Sequence, residues 1–197
     1  MMNFKPMIDN LETIVKKMNE DLERTNAQIQ SNYETFQAEY ALEANRKLED
    51  ELSSKVASYK EQAQKRVDMA MESAQIVLDN IYFTDLNASQ AGELEIIAKS
   101  GSLTADEING YIRKFKNNGT ALRRIEKIAL DNNLTIRGKT YASELSYFNK
   151  IKNAAQGVVN SMDPHASTQI TIAFRILTQR YNEYIELPVF ETVAEDK

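Results

Sequence analysis

Three stretches of the chain hold residue types that do chemistry elsewhere. The first is Gly138-Lys139-Thr140, which has the ending of a phosphate-binding loop. Such a loop needs another glycine five positions earlier and a buried strand ahead of it, so that backbone amides cradle the phosphates. Position 133 is Asn and no such strand precedes it. Thr140 therefore reads as a helix N-cap and Lys139 as a loop residue. The second is His165, the only histidine. It follows Pro164 in what reads as the first turn of a helix, where a cation opposes the helix dipole. Neither a carboxylate nor another histidine stands three or four residues on, so it reads as a neutral surface residue.

The third stretch is basic: Arg113, Lys114, Lys116, Arg123, Arg124 and Lys127 span two short helices joined by Asn117–Thr120, with Tyr111 and Phe115 close by. Cations interleaved with aromatics can meet a nucleic-acid backbone. The same residues also serve as solvated helix faces or as a dock for an acidic partner or the acidic tail. Two helices and a glycine turn occur in any bundle, and the protein partner is the preferred expectation.

Metal chemistry finds little support. Carboxylates are dense on the first half (Glu39, Glu43, Glu49, Asp50, Glu51), but the Glu-x-x-His pairs of a carboxylate-bridged di-metal bundle are missing. The absence of Cys removes disulfides, zinc–thiolate sites and iron–sulfur clusters. No catalytic residue, cofactor, metal or small-molecule ligand is expected, and the chain is not expected to be an enzyme.

The elements that would position these residues are helices. Only 6 Gly and 3 Pro occur in 197 residues, too few for a turn-rich β fold. Residues 1–86 read as one long amphipathic arm, coiled-coil-like, because no Gly or Pro falls between Pro6 and Gly92. Ile8, Leu11, Val15, Met18, Leu22, Thr25 and Ile29 alternate in steps of three and four, the heptad pattern of paired helices. Tyr33, Phe36, Tyr40, Ala44, Leu48 and Leu52 continue mostly in fours. Val56, Tyr59, Ala63, Val67, Ala70, Ala74, Val77 and Ile81 complete the stripe. Its steps between Leu48 and Ala70 form an eleven-residue repeat.

A stripe this long must be covered by its own second half, by the rest of the chain or by another copy. Self-association is the expectation, through Ile8, Leu11, Val15, Met18, Leu22, Ile29, Leu48, Leu52 and Val56. A fold-back hairpin would turn near residues 25–32, where Asn and Ser compete with the helix for backbone hydrogen bonds.

Residues 87–187 read as a compact bundle of about five short helices. Asn87 with Gln90 and Thr104 with Glu107 are capping boxes, and Asn117-Asn118-Gly119 reads as a left-handed C-cap before a Thr120 N-cap. Asn132–Lys139 holds the one plausible piece of strand. Thr140 opens the next helix, and Asp163-Pro164 reads as N-cap and first residue of the last. Pro188 ends it, and 188–197 reads as an extended acidic tail.

The net charge of −5 is uneven: −6 over residues 1–90, +6 over 99–152 and −4 from Tyr181 onward, a pattern that suggests contacts within or between chains. With no signal peptide at the N-terminus and no run of about 20 apolar residues, the expected location is cytoplasmic and away from membranes. The Asn-, Lys- and Ile-rich composition is that of an AT-rich bacterial or bacteriophage genome. An acidic coiled-coil arm with a compact helical end is a type common among phage accessory proteins, such as capsid scaffolds and host-defence inhibitors. The functional expectation is therefore a self-associating interaction protein that scaffolds, chaperones assembly or inhibits by binding a protein partner. The alternative is a dimeric nucleic-acid-binding regulator that uses residues 113–127.

Overall fold

A computed structural model of the chain describes residues 2–165, 167–188 and 190–193. They form seven helices and a two-stranded ribbon: α1 (Lys5–Thr35), α2 (Ala38–Tyr82), α3 (Ala88–Lys99), α4 (Ala105–Lys114), α5 (Gly119–Asp131), β1 (Thr135–Arg137), α6 (Tyr141–Asn160), α7 (Ser167–Ile185) and β2 (Glu191–Val193). The fold is all-α, with long helices at the N-terminus and shorter ones after them. Among the described residues no helix is long and apolar enough to cross a membrane.

The chain divides into two compact units that interleave in sequence. A hairpin unit holds Asn3–Glu72 and Lys150–Tyr181, and a short-helix unit holds Met1–Met2, Ser73–Asn149 and Asn182–Lys197. The divisions fall inside α2, α6 and α7, so residues of the N-terminal arm contribute to both units.

In the hairpin unit the arm folds back on itself. Phe36 takes an extended conformation (φ −106°, ψ 157°) and its amide donates to the Asn32 carbonyl, which ends α1. The break lies at residues 36–37, not at 25–32, through which α1 runs unbroken. Within that stretch Gln30 bonds Glu34 along α1, and Asn32 finds its partner across the hairpin instead of competing with the helix. Asn32 Nδ2 donates to Asn45 Oδ1 at 2.7 Å. Nearer the open end, the Tyr59 hydroxyl donates to Asp21 at 2.8 Å, and the Lys55 ammonium stands 3.9 Å from the same carboxylate. The farther back along α1 a residue stands, the farther forward along α2 its partner lies, the register of antiparallel helices.

The apolar stripe supplies the core of this unit. Met7, Ile8, Leu11, Ile14, Val15, Met18 and Leu22 of α1 are buried, as are Leu52, Val56, Ala63 and Val67 of α2. Helices α6 and α7 add Ile151, Ala155, Val158, Val159, Ile170 and Leu177. Lys150, Ala154 and Gly157 of α6 and Ala173, Ile176 and Arg180 of α7 line one cleft, as expected of two helices joined by a short connection and packed side by side. The result is an up-down four-helix arrangement made of two hairpins of unequal length.

In the short-helix unit the capping boxes of Asn87/Gln90 and Thr104/Glu107 start α3 and α4. Their inward residues join α5 and Phe190 in one cluster that includes Leu94, Ile97, Ile108, Ile112, Phe115, Ile125 and Ile128. β1 pairs antiparallel with β2, Ile136 opposite Thr192, so part of the expected extended tail is a strand. Residues 194–197 lie outside the described set.

Several local expectations are corrected. Gly119 is the first residue of α5, not a left-handed cap, and Asn118 caps that helix by accepting from the Ala121 amide. Thr120 instead donates to the Tyr82 and Thr84 carbonyls at 3.1 and 2.6 Å, finishing the end of α2. Helix α7 starts three residues beyond Pro164, because the Asp163 side chain accepts from the His165 amide in a local turn. At the end of α2 the buried line runs through Met71, Leu78 and Tyr82, one position on from Ala70, Val77 and Ile81.

Gly119 is needed because a Cβ there would lie 2.0 Å from the Ile81 carbonyl oxygen, whereas one on Gly157, inside α6, would meet nothing within 4 Å. Gly119→Ala should therefore lower stability by about 3 kcal/mol. Gly157→Ala should raise it by about 0.5–1 kcal/mol through helix propensity. Thermal melts of the two variants check this. Equal melting temperatures would contradict the close approach of α5 to the end of α2.

Candidate functional site

Some of the residues singled out for chemistry have structural roles, and others are exposed. Gly138 has a φ of +92°, which few side chains tolerate. The Lys139 amide donates to the Pro188 carbonyl, and Thr140 and Ser143 cap α6 reciprocally, each accepting from the other's amide. His165 is exposed at the rim of an open cleft of about 680 Å³, which Asn26, Thr168 and Arg175 also line. Among the described residues no group of three His, Cys, Asp or Glu side chains is placed to hold a metal.

The six basic residues part company. Arg123 is half-buried, its guanidinium 4.6 Å from the Phe83 ring centre and 4.5 Å from that of Tyr141, and it donates to the Tyr82 carbonyl. A planar cation held between two rings is a structural clamp. Lys114 pairs with Glu93. Arg113, Lys116, Arg124 and Lys127 are exposed on the last turn of α4, the α4–α5 turn and the outer face of α5.

Close to the clamp lies a buried polar group that the sequence did not flag. Glu144 is 4% exposed and accepts from the Tyr184 hydroxyl at 3.2 Å, while the Met2 amide donates to that same hydroxyl. Burial, followed by the charge and hydrogen bond of Glu144, holds the Tyr82 phenol far above its usual range. The carboxylate is thus satisfied by tyrosines, an arrangement that ties together four chain segments of this unit, at Met2, Tyr82, Glu144 and Tyr184.

Of the nine arm residues expected to form an oligomer seam, Ile8, Leu11, Val15, Met18, Leu22, Leu52 and Val56 are buried within the chain itself, and Ile29 and Leu48 are half-buried. The apolar demand that called for a second copy is met internally over most of the stripe. It is not met at the tip.

Helices α6 and α7 are shorter than the hairpin they cover. The start of α7 is level with Leu22 and Asn26, which line one cleft with Pro164, His165 and Thr168. Beyond it α1 continues from Leu22 to Thr35, roughly 20 Å of helix. Between residues 23 and 51 only Ala41 and Asn45 are buried. Those two, small and polar, let the helices approach and pin their register. Asn45 is 3% exposed, and among the described residues nothing accepts from its Nδ2, a cost that a segment built for stability alone would avoid.

The tip nevertheless carries large apolar side chains: Tyr33 is 54% exposed, Phe36 50%, Tyr40 68% and Leu42 60%. Phe36, Tyr40, Ala44 and Leu48 line a surface groove of about 490 Å³ with Gln28, Asn32, Glu43 and Lys47. The sequence placed Tyr33, Phe36, Tyr40, Ala44 and Leu48 on the stripe. Their exposure was not legible, because it follows from where α7 begins. Leu42 lies off the stripe altogether, and its only signal was an apolar residue among Glu39, Glu43 and Arg46.

Comparison with known protein families, with curated proteins and with solved structures gave no match.

The clamp separates Arg123 from its neighbour. Arg123→Ala should lower stability by about 1–2 kcal/mol through loss of the two ring contacts. Arg124→Ala, at an exposed position, should change it by less than about 0.5 kcal/mol. Denaturant titrations of the two variants check the contrast. Equal effects would show that Arg123 is not a clamp.

Proposed function

We propose that this protein is a non-enzymatic interaction protein whose binding element is the bare tip of the α1–α2 hairpin. One observation carries the reading: Leu11, Met18, Leu52, Val56 and Val67 of the apolar stripe are buried where α6 and α7 reach, yet Tyr33, Phe36 and Tyr40, with Leu42 beside them, are exposed beyond. Exposed tyrosine and phenylalanine clustered beside a groove are the composition of protein-binding hot spots. A groove between two helices, open for about two turns, suits the apolar edge of a partner helix. Such a protein acts as a scaffold, an assembly chaperone or an inhibitor, according to what the tip engages.

The test places a photo-crosslinking amino acid at Phe36, at Tyr40 and, as a control on the same helix pair, at Gln62. Irradiation in cells making the protein should give defined protein crosslinks from positions 36 and 40 and none from 62. A companion variant, Tyr33→Ser/Phe36→Ser/Tyr40→Ser, should melt within a few degrees of the parent, because these side chains contribute little to the core. Crosslinking at 62 equal to that at 36 and 40, or a large loss of stability in the triple variant, would sink the proposal.

A further inference from the structure

We infer that the partner of the hairpin tip is a second copy of this chain, docking the basic outer face of its α4–α5 segment. The inference rests on the tip being a binding element and adds what it binds. Charge decides the occupant. Residues 27–51 hold six acidic side chains against Arg46 and Lys47, a net charge of −4. Two tips brought face to face would repel, so a symmetric tip-to-tip pairing is disfavoured.

The opposite sign is present in the same chain. Residues 113–127 carry a net charge of +5, and Arg113, Lys116, Arg124 and Lys127 among them are exposed. In the same unit Leu130 on α5 and Ile96 on α3 are 58% and 69% exposed. The tip presents aromatics among carboxylates; on α5 the exposed Leu130 follows Lys127 by one turn, and on α3 the exposed Ile96 adjoins Glu95, which feels the charge of Arg124. Each has what the other lacks: an apolar area to cover and charges of the opposite sign to steer the approach. Contact between two different patches of one chain is head-to-tail, so every added copy leaves a free tip and a free basic face. Assembly then grows beyond a dimer, or closes into a ring.

The experiment uses the full chain and two charge reversals, Glu34→Lys/Glu39→Lys/Glu43→Lys at the tip and Arg113→Glu/Lys116→Glu/Arg124→Glu/Lys127→Glu on the basic face. Sedimentation velocity of the parent at low salt should show concentration-dependent species larger than a monomer, dissociating in high salt as screening grows. Each reversal alone should weaken self-association at least about tenfold, a step of roughly 1.4 kcal/mol. Mixing the two reversals in equal amounts should restore it, because each altered face then meets its opposite. Circular dichroism checks that both variants fold. Should one fail, the matching Gln substitutions replace it, and the same loss of assembly is expected without the rescue.

A parent monomeric at every concentration and salt would overturn the second-copy proposal. Crosslinks from Phe36 to another protein would then leave the tip reading standing. Assembly surviving the basic-face reversal but lost on tip reversal would mean that tips meet tips, and would overturn it too. Assembly surviving both reversals would place self-association elsewhere on the chain and reject both surfaces.

Discussion

Closure of α1 onto α2 is the constraint on which the hairpin unit depends. An amphipathic stripe with no Gly or Pro to interrupt it forms helix readily, but it leaves apolar area that water disfavours. The chain resolves this within itself. A two-residue break at Phe36–Gln37 reverses its direction, and Asn32, Asn45, Asp21 and Tyr59 fix the register of the reversed helix by hydrogen bonds across the seam. Helices α6 and α7 then cover what the hairpin leaves open, but only as far as the level of Asn26. Two hairpins of unequal length produce both a packed base and a bare tip.

The short-helix unit rests on a different device, the finishing of a long helix by side chains distant in sequence. The last carbonyls of α2 have no partner within the helix. Thr120 and Arg123 of α5 take the Tyr82 and Thr84 carbonyls, and Gly119 lets α5 come close enough to do so. Arg123, one of the basic residues that could have met a nucleic-acid backbone, is held between two aromatic rings instead. The outward cations that remain, Arg113, Lys116, Arg124 and Lys127, are what give this face its charge.

Much of this was legible in the sequence wherever local chemistry decides. The capping boxes at Asn87 and Thr104 and the N-cap at Thr140 depend on a few neighbouring residues, and they sit where those residues put them. The α1 stripe from Ile8 to Leu22 is buried as read, and Met7 before it and Ile14 within it are added by the wider face that a four-helix base buries. Elsewhere a distant partner decided. Asn32 looked like a turn former until Asn45 lay opposite it. Gly119 looked like a cap until Ile81 approached it. The strand at Glu191–Val193 needed Thr135–Arg137 beside it. The tip could not be found from the sequence, because Phe36 and Tyr40 follow the same period as the buried residues on either side of them.

Every feature of the hairpin unit depends on α1 folding back onto α2 within one chain. Because the protein has no cysteine, Glu20→Cys and Ser58→Cys, both at exposed positions, would be unique sites for spin labels. A pulsed electron-spin distance measurement on the doubly labelled chain, diluted in unlabelled protein, reads the separation within one molecule. Packed antiparallel helices lie about 8–10 Å apart, so with the reach of the labels the account expects a distance below about 30 Å that dilution does not change. A distance near 57 Å, the length of 38 residues of continuous helix, or a short distance that fades on dilution, would contradict it.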